Sequence, residues 1–403
     1  MDNFGKIKLK YVAYSYASAQ KQSEVFECGK YEVYGASGLV GYLNTYGADT
    51  EYIGIVKDGA GVGRAQIYKP YTSLLGTMAY IVPIDIKATN INFLKYSIDA
   101  LDLGNTAGDR ATIPHIYFSK YGNEYISSYP IMQQEKIANY LDEKCGKIDE
   151  LIANQQGQIE KLKEYKQLVI TEAVTKGLDK SAPLKDSGIE WISNIPDGWS
   201  IQKVLYQLKM PVTDGPHTTP GLFDSGVAFV SAEAVSCGNG GIDFNHIRGY
   251  ISEEFYQECC LKYIPEIDDV YMIKSGATTG RVSIVTTLEP KFTIWSPLAV
   301  MRANKDKMLP KFLYYAVQST HFQRQVALGW SYGTQQNLGM RTLEQLQLLV
   351  PSLEEQRCIV EYLDSNLIKI DKLIAIKQEK IEKLQEYKKS LIYEYVTGKK
   401  EVV

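Results

Sequence analysis

Apolar side chains return at alternating four- and three-residue steps along two long stretches of the chain. The first carries Leu141, Cys145, Ile148, Ile152, Ile159, Leu162 and Val169; the second carries Leu363, Leu367, Ile370, Ile374, Ile381, Leu384 and Leu391. A mean spacing of 3.5 residues keeps one stripe facing a partner helix, so the pattern predicts a coiled-coil seam. Gln155 and Lys166 occupy missing rungs in the first stretch, Lys377 and Lys388 in the second. A polar rung costs stability but can fix register. After the lead-in prolines, Pro130 and Pro351, neither stretch contains a proline. Ordinary helices average about 11–12 residues. About 40 residues at 1.5 Å each would reach roughly 60 Å, the length of a spacer.

The two stretches are copies of each other. Gln134-Glu135-Lys136-Ile137-Ala138-Asn139-Tyr140-Leu141-Asp142 returns as Gln356-Arg357-Cys358-Ile359-Val360-Glu361-Tyr362-Leu363-Asp364, an offset of 222 residues. Lys147-Ile148-Asp149 returns as Lys369-Ile370-Asp371, and Ile159-Glu160-Lys161-Leu162 as Ile381-Glu382-Lys383-Leu384. Between 134–177 and 356–399, 23 of 44 positions are identical. The simplest partner for each helix is the other copy. The plainer alternative is two ordinary amphipathic helices in unrelated cores.

Residues 1–130 and about 181–350 have another texture, rich in Tyr, Gly, Val and Ile, with short apolar runs broken by turn residues. Tyr52-Ile53-Gly54-Ile55-Val56, Met78-Ala79-Tyr80-Ile81-Val82 and Val282-Ser283-Ile284-Val285 are expected to be strands. Phe312-Leu313-Tyr314-Tyr315-Ala316-Val317 is expected to be helical. The stretch 178–199 is expected to be a linker and lead-in turn. The order is therefore α+β domain 1–130, spacer 131–180, linker and second α+β domain 181–350, spacer 351–403. Lys57-Asp58-Gly59-Ala60-Gly61-Val62-Gly63-Arg64 parallels Lys274-Ser275-Gly276-Ala277-Thr278-Thr279-Gly280-Arg281. Two globules free to differ on a fixed frame suit two independently chosen targets.

Composition narrows the class. The chain has 403 residues, 45% hydrophobic and 23% charged, as a soluble globular protein would. No apolar run approaches the roughly 20 residues of a membrane span, and the start, Met1-Asp2-Asn3-Phe4, has no apolar signal core; a cytoplasmic location is expected. The six cysteines include no C-x-x-C pair and there are four histidines, which argues against a zinc site and a disulfide framework; reduced, mostly buried thiols are expected. The net charge is −3, with 12 basic and 12 acidic residues in 1–130. Any nucleic-acid partner would need a local positive field or one supplied by another subunit.

The glycine clusters do not make a nucleotide loop. Gly59–Gly63 lacks the full G-x-G-x-x-G, and Gly276–Gly280 lacks the Lys-Ser/Thr of a phosphate loop. Tight turns between strands fit them better; the functional version has Lys57, Arg64, Lys274 and Arg281 beside a backbone able to approach phosphates. Arg110, followed by Thr112, is a candidate for guanine or phosphate. Gln335, Gln336 and Asn337, after Thr334, either pair with adenine edges or cap a turn. His217 lacks a neighbouring nucleophile pattern and fits a turn. The Glu/Lys alternation at 160–166 and 382–389 fits a solvated or subunit-docking face.

In the helix lead-in Pro-x-x-x-x-Gln-x-x-Ile-x-x-Tyr-Leu-Asp at Pro351–Asp364, the chain resembles the specificity (S) subunit of type I restriction–modification systems. So do Trp191-Ile192-Ser193-Asn194-Ile195-Pro196-Asp197-Gly198-Trp199 and Tyr332-Gly333-Thr334-Gln335-Gln336-Asn337-Leu338. The resemblance covers nearly the whole chain. Tyr31-Glu32-Val33-Tyr34-Gly35-Ala36-Ser37-Gly38 matches one recognition-domain subtype and Asp214-Gly215-Pro216-His217-Thr218-Thr219-Pro220 another. That adds Tyr34, Ser37, His217 and Thr218 to the DNA-binding candidates. The first domain lacks an Ile-Pro-x-x-Trp lead-in and begins almost directly at Lys8-Leu9-Lys10. The resemblance implies two target-recognition domains separated by two antiparallel coiled-coil helices, an internal pseudo-twofold. Each domain would read half of a bipartite, asymmetric site in double-stranded DNA. The helices would set the gap and dock two methyltransferase subunits. Those subunits, not this chain, would bind S-adenosylmethionine and methylate adenine at N6. Motor–nuclease subunits would join for restriction. One rival, a methyltransferase, needs an Asn/Asp-Pro-Pro-aromatic loop, and the sequence has no Pro-Pro. The other is a coiled-coil scaffold whose globules bind protein or glycan.

Overall fold

The two periodic stretches form the longest elements of the chain. Helix α2, Ile131–Lys176, has 46 residues and helix α4, Leu353–Val396, has 44. The computed structural model describes residues 5–59, 61–106, 114–189, 192, 194–332 and 336–402. The chain divides into two compact units, 1–157 with 376–403, and 158–375, so each unit takes one end of each long helix.

In the first unit a four-stranded antiparallel sheet runs Ala13–Ala17, Met78–Pro83, Tyr52–Val56, Ala65–Tyr68. Tyr52–Val56 is apolar on both faces because both are covered. Ile53, Ile55 and Ile81 pack with Leu94 and Ile98 of helix α1, Ile91–Asp99. Tyr52, Tyr80 and Tyr68 pack with Leu74 on the other side. A hairpin, Tyr31–Gly35 with Gly38–Leu43, adds a smaller sheet.

The second unit repeats the sheet order with Thr213–Asp214, Leu298–Met301, Val270–Ile273 and Val282–Ile284. Its register matches: Val270 faces Met301 as Ile53 faces Ile81. A second sheet places Val227–Val230 between Gly249–Ile251 and Phe292–Ile294. The expected helix at 312–317 is α3, Pro310–Ala316. The linker stretch carries two short strands of its own, Leu184–Asp186 and Asn194–Pro196.

Within each unit the long helices pack against each other and against the domain. Leu141, Cys145 and Ile148 meet Leu391, Ile392 and Val396 in the first unit, with Phe93 and Tyr96 of α1. Val169, Ile170 and Val174 share a core with Ile359, Leu363, Leu367 and Ile370 in the second, with Phe312 and Leu313 of α3. Ile159 and Ile381 are buried; Ile152, Leu162, Ile374 and Leu384 are partly buried. The polar rungs Lys388 and Lys166 are ion-paired. Lys388 bonds Asp149 at 2.6 Å in the first unit, and Lys166 bonds Asp371 at 2.7 Å in the second, one pair repeated at the 222-residue offset.

The repeated Gln…Asp motif is the joint between domain and helix. Gln134 Oε1 accepts from Asn90 N–H at 2.9 Å, and its Nε2 donates to Ala88 O and Tyr129 O at 3.0 and 2.8 Å. Gln356 does the same with Leu309 N–H, Lys307 O and Pro351 O at 2.8, 3.0 and 3.1 Å. Eight residues on, Asp142 accepts from Tyr96 Oη at 2.7 Å and Asp364 from Tyr315 Oη at 2.5 Å. Burial, and then these carboxylates, push both phenols above their ordinary pKa. The cysteines are unpaired; Cys28, Cys237 and Cys358 are exposed where burial was expected, and Cys145 and Cys259 are buried. Cys358 lies on the outward face of α4, where the seam does not reach. Among the described residues no helix is long and apolar enough to cross a membrane.

Candidate nucleic-acid interface

The glycine clusters are hairpin turns leaving the central strand of each main sheet. Gly63 N–H donates to Val56 O and Val56 N–H to Arg64 O, at 2.9 and 3.0 Å; Gly280, Ile273 and Arg281 repeat both bonds at 2.8 Å. Gly59 and Gly63 have φ of +93° and +85°, Gly276 and Gly280 +101° and +93°, values that favour glycine. A later strand closes over each turn. Ile116 N–H donates to Lys57 O and Leu338 N–H to Lys274 O, with bridges Asp58–His115 and Ser275–Asn337. The two domains therefore present one backbone frame.

The side chains on it differ. In the first domain Lys57 bonds Asp58 at 2.6 Å, and His115 Nδ1 lies 2.5 Å from the same carboxylate. Burial raises the Asp58 pKa, but Lys57 and His115 outweigh it and hold the carboxyl below its usual range. In the second, Asp214 is fully buried, with Lys262 in contact, His217 Nε2 at 3.1 Å and Lys274 at 3.3 Å. Burial again raises its pKa and the two lysines lower it further than that. Arg64 Nη2 donates to Ala36 O at 3.1 Å, and Arg281 Nη1 to Ser236 O at 3.3 Å. Each turn thereby reaches the smaller sheet or the helix beside it.

The sequence candidates fall into four groups. Lys57, Arg64, Lys274 and Arg281 sit on the turns, already engaged by protein oxygens. His217, Thr218 and Ser37 are exposed, as is Asn337 across from Ser275. Tyr34 is half-buried; its hydroxyl donates to Glu32 at 2.6 Å, which pushes its pKa up to about 12. Arg110, Thr112, Thr334 and Gln335 lie outside the described residues, as does the Gln336 side chain. His115 was missed, although it stands 222 residues before Asn337 and holds the equivalent bridge. Extending the helix offset into the domains would have found it. Among the described residues no group of three or more His, Cys, Asp or Glu is placed to hold a metal.

The fold is similar to that of a chain in a solved structure of a type I R-M system. A chain from a structure addressing complex assembly and conformational transition of that system superposes with a TM-score of 0.66, over 99% of this chain and 98% of that one, at 15% identity. Residues 225–386 match the family model of the type I restriction modification DNA specificity domain. The type I restriction enzyme MjaVIII specificity subunit of Methanocaldococcus jannaschii is 24% identical over 290 residues, 71% of this chain and 64% of that one. The putative MjaX specificity subunit of the same organism is 26% identical over 273 residues, 67% and 58%. The matches thus span about three fifths of those relatives' length. Over these segments the chain is similar to specificity subunits of type I restriction–modification systems.

Proposed function

We propose that the chain reads a bipartite, asymmetric site in double-stranded DNA for a type I restriction–modification complex and carries no catalysis of its own. The observation that carries this reading is one backbone frame built twice with different side chains. His115 over Asp58 in one domain answers Asn337 beside Ser275 in the other. Base edges are read by side chains held on a fixed backbone, so two unlike sets imply two unlike half-sites.

The long helices pair antiparallel as a coiled coil, related by a pseudo-twofold, and set the gap between half-sites. Leu151 and Tyr387, both exposed, flank the Asp149–Lys388 pair; Leu373 and Tyr165, both exposed, flank Asp371–Lys166. Two like faces suit two copies of one methyltransferase. S-adenosylmethionine belongs to that partner, which methylates adenine at N6, and motor–nuclease subunits join the same complex in the cytoplasm. A net charge of −3 leaves the bulk of phosphate neutralisation to those partners.

The test is a methylation map of the host genome with and without the gene. Loss of N6-methyladenine at a single two-part motif is expected. An unchanged map in cells expressing the methyltransferase would favour a scaffold whose globules bind protein or glycan.

A further inference from the structure

Several cations of the second domain are neutralised within the protein. Lys262 and Lys274 face Asp214, Arg302 is held by Asp269 and Glu266, Lys291 by Glu253 and Lys305 by Asp268. Arg248 is different. It is exposed, its guanidinium carbon lies 3.8 Å from the Trp295 ring centroid, and among the described residues it has no ion pair.

The plate beneath it is fixed. Trp295 N–H donates to Val230 O at 2.9 Å, the ring packs at 6.3 Å from Phe229, and its buried Nε1 makes no hydrogen bond. Arg248 N–H donates to Phe229 O at 3.1 Å. Stacking uses the guanidinium face and leaves its in-plane N–H fork free, already ordered for a planar acceptor.

The plate also adjoins the turn. A Cβ on Gly215 would lie 2.1 Å from Ile294 O and 2.7 Å from the Trp295 carbonyl carbon, so the Asp214–His217 segment runs directly against it. Two residues past Trp295, Pro297 O accepts from Lys274 N–H at 2.8 Å. In the first domain the equivalent position is Leu75, whose N–H donates to Tyr34 O as Trp295 donates to Val230 O. The Arg-on-Trp arrangement is therefore particular to the second domain.

We propose that Arg248, held flat on Trp295, is a DNA-contacting residue of the second domain, donating its N–H fork to oxygen and nitrogen acceptors of the duplex. The acceptor is either a guanine O6/N7 edge or a pair of phosphate oxygens. The proposal rests on the DNA-recognition reading and adds the residue that performs it at one half-site.

The experiment uses the full chain co-purified with its methyltransferase, as wild type, R248A and R248K, with thermal melts to confirm folding and R248Q as the alternative should R248A fold poorly. For a guanine contact, R248A and R248K both weaken cognate duplex binding by roughly 5- to 150-fold. They also relax the methylated motif at one position, in one half only. For a phosphate contact, R248K keeps most of the affinity. R248A then weakens all sequences alike and lowers the slope of log K against log salt by about 0.9. R248A or R248Q with wild-type affinity, salt slope and motif overturns the proposal while leaving DNA recognition standing. A wild-type complex without sequence-dependent binding overturns both.

Discussion

Gln356→Ala is expected to unlatch the second domain from α4. The side chain is fully buried and makes three hydrogen bonds to backbone, at 2.8, 3.0 and 3.1 Å. Each is worth about 0.5–1.5 kcal/mol net, and a buried group left without a partner costs about 1–3. The Leu309 N–H, at the N-terminal cap of α3, and two carbonyls lose their partner together. Truncation should therefore cost about 3–5 kcal/mol. Gln356→Glu should cost as much, because a carboxylate can accept from Leu309 but cannot donate to Lys307 O and Pro351 O. All four tryptophans, 191, 199, 295 and 330, fall in the unit 158–375, so urea unfolding followed by tryptophan fluorescence reports that unit. At an m value of about 2–3 kcal/mol/M the midpoint should fall by about 1–2 M. Gln134→Ala removes the equivalent bonds in the other unit and should leave that midpoint nearly unmoved, while shifting tyrosine-dominated signals. A Gln356→Ala midpoint within about 0.3 M of wild type would refute the latch. Equal shifts from both variants would refute its local action.

Three further outcomes follow from the geometry. Lys166→Asp opposes Asp371 and should destabilise by about 0.5–1 kcal/mol, the scale of a partly exposed pair; the swap Lys166→Asp with Asp371→Lys should recover most of it in the same urea assay. Asp214→Asn leaves Lys262 and Lys274 facing a neutral group and should cost about 3–5 kcal/mol at neutral pH. Because the folded Asp214 pKa is lowered, its contribution is present above the ordinary aspartate value of about 4 and is lost as pH falls from there through the folded value. The gap between wild type and Asp214→Asn should accordingly narrow on acidification, read by thermal melts from pH 7 to 3. Gly63→Ala would drive a Cβ to 2.6 Å from Gly104 N, whereas Gly280→Ala meets the Gln323 side-chain oxygen at 2.5 Å, which can swing aside. Both strain a positive φ, but hydrogen exchange at the turn should rise more for Gly63→Ala.

The long helices were legible because a 3.5-residue repeat is a local signal and here it occurs twice. Their Gln and Asp residues stood out in the same repeat, but their purpose did not, since Gln134 bonds residues 88 and 90, and Gln356 residues 307 and 309. Those partners lie in diverged segments where no period points to them. The paired turns were visible as glycine clusters. The burial of Lys274 against Asp214, 60 positions earlier, was not, nor was the Arg248–Trp295 stack across a strand connection. The exposed cysteines departed from expectation for a related reason: residue type reports average burial, while exposure depends on which face of the fold a position takes.

Net charge is the instructive case. A total of −3 argued against a DNA-binding surface by composition. The structure spends carboxylates on particular lysines: Asp58 on Lys57, Asp214 on Lys262 and Lys274, Asp371 on Lys166. Each such pair contributes nothing to a long-range field and leaves its cation little freedom to move. On the proposed DNA-reading function, what remains to discriminate one sequence from another is a few donors fixed by packing, as Arg248 is by Trp295. A recognition domain of this build can be nearly neutral overall and still be selective, because base reading depends on the placement of free donors and not on their sum.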